Sequence, residues 1–227
     1  MSATQPEMTQ PEATQPETTP PRARYRSQVR AEIKEHAWSQ IASAGASALS
    51  LNAIAKQMGM TGPALYRYFA SRDDLITELV TDAYRSLAAV FHAAAEQGPD
   101  LAALAHSMRG WALEDPQRYM LIYGTPVPGY HAPPDVTAIA AEIMTVLLDA
   151  CADIAAAAEP VPFDAHLEAH RAWDGGYPTQ ARVLRWALTF WTRMQGVLSL
   201  ELAGHFTGME FDPAELFEAE LASLLAP

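Results

Sequence analysis

Apolar residues recur every three or four positions along most of this chain, which is the spacing of amphipathic helices. The first helix is predicted from about residue 22 to residue 44, with Gly45 as its stop and an apolar face of Val29, Ile33, Ala37 and Ile41. No run of alternating, β-branched residues indicates a strand. The pattern therefore predicts an all-α fold.

Two short helices with a tight turn between them are predicted over residues 51–69. Gly59 can take the positive φ that a reversing chain needs, so the first helix should end near Met58. After the turn, the Thr61 hydroxyl can cap a second helix that has Pro63 in its first turn. Such a pair is a helix-turn-helix, whose second helix enters the DNA major groove.

Long helices fill the rest of the chain. One should begin at the cap Ser71 and run to about Gln97, long enough to connect two lobes. Shorter helices are expected over 101–113 and 117–123, before a loop at 124–134 that holds four prolines and two glycines. Further helices are expected over 135–158, within 160–178, from the cap Thr179 to 202, and after Asp212-Pro213 to the chain end.

The N-terminal tail has a different composition. Residues 1–21 contain three copies of Thr-Gln-Pro-Glu, with no apolar face. Such a segment cannot form a core, so we expect a disordered tail. The domains expected after it are a helix-turn-helix domain over 22–70 and a helical domain over 71–227.

Net charge is −12, which by itself disfavours a nucleic-acid partner. The distribution of charge reverses this inference, because residues 22–85 hold nine Lys and Arg against six Asp and Glu. Positive charge is thus concentrated where the DNA-binding pattern lies, as phosphate contacts require. The basic start of the first helix consists of Arg22, Arg24, Arg26 and Arg30. It is interpreted as an arm for phosphates or the minor groove.

Other chemistries find little support. Asp174-Gly-Gly-Tyr-Pro lacks the spacing and the lysine of a nucleotide loop. His166 and His170 could share a helix face, but no third ligand accompanies them, so no metal and no cofactor are expected. The lone Cys151 suits a buried apolar role in a reducing cytoplasm, and no segment is apolar enough to span a membrane.

The stretch Tyr66-Arg-Tyr-Phe-Ala-Ser-Arg-Asp-Asp-Leu75 closely resembles the signature of the tetracycline-repressor-like (TetR) family of bacterial regulators. Upstream residues from Ala37 to Gly59 also stand at that family's spacing. The resemblance implies a three-helix DNA-binding domain followed by a helical domain for effector binding and dimerisation. It implies a cytoplasmic, homodimeric repressor that a small molecule releases from a palindromic operator in double-stranded DNA.

The same resemblance assigns the DNA contacts. Phosphate contacts are expected from Thr61, Tyr66, Tyr68 and Arg72. Base-facing positions match Asn52, Gly62, Pro63 and Ala64. The last three have no side-chain hydrogen-bonding group, so polar readout would fall to Asn52 and Arg67, which can pair with adenine and guanine respectively.

Two more sets of residues complete the predictions. An apolar or aromatic effector is expected between the helices that carry Met108, Trp111, Tyr119, Met120, Tyr123, Met144, Leu148, Trp186 and Phe190. The dimer interface is expected at Trp191, Met194, Leu198, Phe217, Leu221 and Leu224, for which an intramolecular core is the equal alternative. The competing functions are a helical binding or interaction protein without DNA binding and, with less support, an enzyme.

Overall fold

A computed structural model describes residues 20–96, 98–171 and 176–226. Within these ranges the chain forms ten α-helices and one 3-10 turn, and no strand, which confirms the all-α prediction. The predicted disordered tail lies almost entirely outside the described residues. The helices are α1 Pro21–Ala44, α2 Leu51–Gln57, α3 Gly62–Leu65, α4 Arg72–Ala95, α5 Leu101–Glu114, α6 Pro116–Tyr123, α7 Pro134–Ala156, α8 Pro162–Ala169, α9 Ala181–Leu202 and α10 Pro213–Leu225, with the 3-10 turn at Ala46–Ala48.

Side-chain caps begin several helices. The Ser71 hydroxyl accepts a hydrogen bond from the Asp74 amide at 3.0 Å and starts α4. The Asp212 carboxylate accepts one from the Ala214 amide at 2.9 Å and starts α10. Both caps confirm the sequence prediction, because each supplies an acceptor to an amide that the first helical turn leaves free.

Two predicted threonine caps are wrong. Thr61 stands at the cap position of α3, but its hydroxyl accepts no hydrogen bond from the helix. Pro63 has no N–H to donate, and the Ala64 amide donates instead to the Thr61 carbonyl at 3.0 Å. Thr179 belongs to the turn before α9, where its amide donates to the Tyr177 carbonyl at 2.9 Å, and α9 begins after Gln180.

Two hydrophobic clusters organise the molecule. The first joins α1, α2, α3 and the N-terminal half of α4, and the second joins the C-terminal half of α4 to α5, α7, α9 and α10. Val127 and Val136, from beyond α6, also pack into the first cluster, and Tyr84 and Ile122 pack against both. Helix α4 and the start of α7 therefore both connect the N-terminal cluster to the C-terminal one.

Ion pairs fix the C-terminal helices. Arg109 on α5 pairs with Glu201 on α9 and lies over the Phe217 ring of α10, with 5.2 Å from its guanidinium carbon to the ring centroid. Arg185 on α9 donates to the Asp164 carboxylate of α8 at 2.7 Å. Each arginine satisfies its charge inside the protein, which leaves Arg109 committed to holding helices together.

Composition left two points to the structure, namely the environment of Cys151 and whether any helix could cross a membrane. Cys151 is fully buried on α7, and burial raises its pKa to about 12, so it behaves as a small apolar side chain. Of the helices in the described ranges, none combines the length and the apolar character needed to cross a bilayer.

Candidate nucleic-acid interface and effector cavity

The turn between α2 and α3 has the geometry that its sequence predicts. The Ser50 hydroxyl caps α2, and Gly59 takes a φ of 65° where the chain reverses. The Met60 amide then donates to the Ala55 carbonyl at 2.8 Å, which closes the end of α2. Helix α3 follows as a single turn whose Leu65 is fully buried.

The residues that α3 does not bury face outward. Thr61, Pro63, Tyr66 and Arg67 are exposed, and so is Asn52 on α2. Gly62 and Ala64 are half-buried between them. Most of the predicted base-facing and phosphate-facing side chains are therefore accessible to a partner.

A basic groove of about 430 Å³ runs beside this surface. Of the predicted residues, Arg26, Ala64, Arg67 and Tyr68 line it, while Arg24 is exposed elsewhere on α1. The groove also includes Arg22, which belongs to the predicted basic arm, and two residues without a predicted role, Tyr25 and Met60.

Arg30 and Lys34 fix α1 against the rest of the domain. The Arg30 guanidinium donates to the Tyr68 carbonyl at 2.6 Å, lies 4.3 Å from the Phe69 ring centroid and pairs with Glu78 on α4. One turn later, Lys34 pairs with Asp82 at 2.7 Å. The basic arm and the segment after α3 are thereby held in a fixed relation to α4.

Arg72 lies deeper than its predicted phosphate role suggests. Its Nε donates to the Leu49 carbonyl at 3.1 Å, and its Nη2 lies within 3.2 Å of the Ala46 and Ser47 carbonyls. Its Nη1 lies 3.5 Å from the Asp73 carboxylate. Most of its donors hold the turn before α2 in place, so a phosphate contact by Arg72 stays a prediction that rests on Nη1.

Family models match both parts of the chain. The model described as "Bacterial regulatory proteins, tetR family" matches residues 33–79, and "Tetracyclin repressor-like, C-terminal domain" matches residues 101–224. The chain belongs to the TetR family. It is a DNA-binding transcriptional regulator of the helix-turn-helix type, and the resemblance seen in its sequence is confirmed.

Relatives support this placement. HTH-type transcriptional regulators of Mycobacterium bovis and Mycobacterium tuberculosis are 38% identical over 217 residues, which is 88% of this chain and 92% of theirs. The crystal structure of the regulatory protein SCO4313 is 66% identical, with a TM-score of 0.84 over 92% of this chain and all of the other. A TetR/AcrR-family regulator from Thermobifida fusca shares the fold at 19% identity, with a TM-score of 0.56 over 87% of this chain and 97% of the other.

The TetR-type C-terminal domain contains a cavity of about 210 Å³ between α4, α6, α7 and α9. Two of the nine predicted effector residues line it, Tyr123 and Met144. Tyr84, Ala140, Ile143 and Trp191 line it as well, although Trp191 was assigned to the dimer interface. The Tyr123 ring meets the rings of Tyr84 and Trp191 edge-on, with centroids 6.2 Å and 5.6 Å away.

The structure does not place the other seven predicted effector residues in this cavity. Trp111 donates from its indole nitrogen to the Ser86 hydroxyl at 2.6 Å, and the Tyr119 hydroxyl lies 2.8 Å from that of Ser199. These contacts give both side chains the role of polar anchors within the core. Met108, Leu148 and Phe190 are fully buried core residues, Met120 packs against the same core, and Trp186 lines a different groove.

Five of the six predicted interface residues lie in the core of a single chain. Met194, Leu198, Phe217, Leu221 and Leu224 are at most 2% exposed, so they leave almost no area for a partner, although Leu224 borders the outer groove of α9 and α10. They form the core between α9 and α10, the alternative that the sequence left open. The outer side of the same two helices instead carries a groove of about 170 Å³ lined by Arg185, Trp186, Thr189, Arg193, Ser223 and Leu224.

The two histidines that could share a helix face, His166 and His170, contact each other at the end of α8. The His166 and His170 rings stack with centroids 4.3 Å apart, and the His166 carbonyl accepts a hydrogen bond from His170 Nδ1 at 2.8 Å. In the part of the chain that the structure describes, no three His, Cys, Asp or Glu side chains converge as metal ligands would.

Proposed function

We propose that this TetR-family regulator is a homodimeric repressor that a small, largely apolar effector releases from a palindromic operator. The observation that carries the proposal is the position of α4. Its N-terminal half is bonded to the DNA-binding domain through Glu78 and Asp82, and Tyr84, two residues after Asp82, lines the cavity. A molecule that repositions Tyr84 therefore acts on the helix to which the basic arm is attached.

Two contributions to DNA binding are proposed. Arg24, Arg26 and the hydroxyls of Thr61, Tyr66 and Tyr68 would contact phosphates, together with Nη1 of Arg72. Asn52 and Arg67 would contact base edges, and Gly62, Pro63 and Ala64 would admit only apolar contact. The local excess of positive charge supports this division within a chain of net charge −12.

A second copy of the chain is proposed to cover the outer groove of α9 and α10. The indole nitrogen of Trp186 is buried there without a hydrogen-bond partner among the described residues. An unpaired buried N–H costs about 1–3 kcal/mol, and a carbonyl or hydroxyl from the second copy would remove that cost. A two-fold dimer would use the same groove on both copies.

The effector acts by differential binding. It must bind the conformation with low DNA affinity more tightly than the DNA-bound one, because otherwise it shifts no equilibrium. Tilting of α4 would change the separation of the two α3 helices in the dimer. DNA-binding regulation of this kind takes place in the bacterial cytoplasm, where we place the protein.

A gel-shift titration on the DNA upstream of its own gene tests the proposal. Binding should weaken steeply with salt, and it should need two half-sites about 34 Å or a multiple apart. Inserting about five base pairs between the half-sites should turn one of them away from the dimer and abolish tight binding. Unchanged affinity after that insertion, or a monomer by light scattering, would contradict the dimer.

A further inference from the structure

The hydroxyl of Tyr123 is the one buried polar side-chain atom among the cavity-lining residues that lacks a partner inside the described protein. It is shielded from solvent, and neither a side chain nor a backbone group among the described residues accepts or donates a hydrogen bond to it. The cavity wall around it is otherwise mostly apolar, with Ala140, Ile143 and Met144 from α7. Buried hydroxyls are normally hydrogen-bonded, so this exception calls for a partner.

The lining of the cavity excludes a charged occupant. All six lining residues are uncharged. Burial, together with the neighbouring Tyr84, raises the pKa of Tyr123, so its phenol stays protonated at neutral pH. A carboxylate or ammonium moved into this space would lose its hydration without gaining an opposite charge.

The size of the space limits the occupant further. At about 210 Å³ it is smaller than the roughly 300–1,000 Å³ of sites for drug-sized ligands. An apolar cavity of about 150 Å³ is large enough for benzene. A single substituted ring therefore fits, while a multi-ring molecule does not.

We infer that the cavity between α4, α6, α7 and α9 binds an uncharged single-ring molecule that carries one hydrogen-bonding group directed at the Tyr123 hydroxyl. This inference rests on the proposed effector site and names the chemistry of its ligand. Tyr123 is both donor and acceptor, so a ring hydroxyl or a ring ketone satisfies it equally. Aromatic edges from Tyr84 and Trp191 flank the Tyr123 ring and provide apolar contact to the occupant.

Phenol, toluene and benzoate test the inference by isothermal titration, because they differ mainly in one substituent. The wild-type protein should bind phenol about three- to tenfold more tightly than toluene, the equivalent of one hydrogen bond. Benzoate should bind at least tenfold more weakly than phenol. In Tyr123→Phe the preference for phenol over toluene should fall to near one.

Tyr130→Phe is the matched control. The Tyr130 hydroxyl is also buried without a partner among the described residues, but Tyr130 does not line the cavity. Both substitutions remove an unsatisfied hydroxyl, so both should preserve or raise the thermal midpoint. Only Tyr123→Phe should change the preference for phenol, and a Tyr130→Phe protein that keeps it shows that the effect belongs to the cavity.

The outcomes separate this inference from the proposed repressor function. Equal binding of phenol and toluene, no binding of either, or an undiminished preference in Tyr123→Phe would overturn the inference. Phenol binding that depends on Tyr123 but leaves affinity for the upstream DNA unchanged would support the inference and contradict effector release. A compound that releases the DNA, but binds Tyr123→Phe as tightly as the wild type, would support effector release and contradict the inference.

Discussion

Asn52 and Gly62 approach each other at the surface that we propose to face DNA. The carboxamide oxygen of Asn52 lies 3.4 Å from the point that a Cβ would occupy at residue 62. A Cβ at residue 62 would take the space beside this carboxamide at the start of α3. Asn52 is the one side chain among the proposed base-facing positions that can hydrogen-bond to adenine, so the absence of a side chain at Gly62 should favour its readout.

Gly62→Ala should therefore separate fold stability from base discrimination. Residue 62 does not need a positive φ, so alanine should leave the free energy of unfolding unchanged or raise it by up to about 1 kcal/mol. The added methyl would lie in van der Waals contact with the Asn52 carboxamide oxygen and restrict its rotation. This should weaken discrimination at the base that Asn52 contacts by up to about 1–3 kcal/mol. Urea unfolding and gel shifts on single-base operator variants measure the two effects.

Gly59→Ala is the control for that prediction. Gly59 has a φ of +65°, with open space around it. Alanine there should cost about 1 kcal/mol of stability through backbone strain alone. Base discrimination should stay unchanged, and a loss of discrimination as large as in Gly62→Ala would contradict the role of the Asn52 contact.

Arg26 lines the groove beside α3, so replacing it should change the salt dependence of DNA binding. Arg26→Ala should weaken binding to all operator sequences alike and lower the slope of log affinity against log salt by about 1. Arg118, which lies outside the groove and is paired with Asp115 on α6, provides the matched arginine control. Arg118→Ala should leave the slope unchanged, and an equal change in both variants would rule out a specific phosphate contact.

Local periodicity was enough to predict the helices and the helix-turn-helix, because each depends on residues within a few positions of one another. It could not predict how the long helices are rotated against each other. Trp191 and Leu198 stand seven residues apart on one stripe of α9, yet Leu198 is fully buried while Trp191 borders the cavity opposite Tyr123. Only the packed arrangement of α4, α6 and α7 distinguishes the two positions.

Long-range hydrogen bonds were equally hidden from the sequence. Arg72 meets the carbonyls of residues 46, 47 and 49, more than twenty positions away along the chain. The family resemblance places Arg72 near DNA, but it does not show that the turn before α2 already uses most of its donors. The predicted cap at Thr61 was wrong for a similar reason, because the Ala64 amide donates to the Thr61 carbonyl and not to the Thr61 hydroxyl.

Asp164 gives a pH-dependent contribution to stability. The hydrogen bond from Arg185 holds the pKa of the Asp164 carboxyl below its usual value of about 3.9. Its contribution to folding is therefore fully present above that value and is lost as pH falls through the lower, folded-state pKa. Asp164→Asn should lower the free energy of unfolding at pH 7 by about 1–3 kcal/mol.

The same substitution should flatten the dependence of stability on pH below about 4, because the variant has no carboxylate to protonate there. Urea unfolding at pH 7, 4 and 3 measures both effects. Asp153 on α7 is exposed, and Asp153→Asn should leave the profile as it is in the wild type. Parallel profiles for wild type and Asp164→Asn would contradict a role for this pair in acid stability.

Val136 provides a second connection between the cavity and the DNA-binding domain, because it lies on the same helix as two cavity-lining residues. It is 2% exposed at the start of α7 and packs in the N-terminal cluster, while Ile143 and Met144 of the same helix line the cavity. Val136→Ala should remove part of this attachment and destabilise the protein by about 1–3 kcal/mol. Because the lost contact belongs to the N-terminal cluster, hydrogen exchange should accelerate most in α1 and the first half of α4.

Val183→Ala is the matched control, since Val183 is 5% exposed on α9 and packs only in the C-terminal cluster. The same two methyl groups are lost, so a similar loss of global stability is expected. When the two variants are compared at equal global stability, hydrogen exchange in α1 should accelerate less in Val183→Ala than in Val136→Ala. Equal acceleration of α1 in the two variants would mean that Val136 acts only through global stability. The connections that the structure supports would then be α4 and Ile122 of α6.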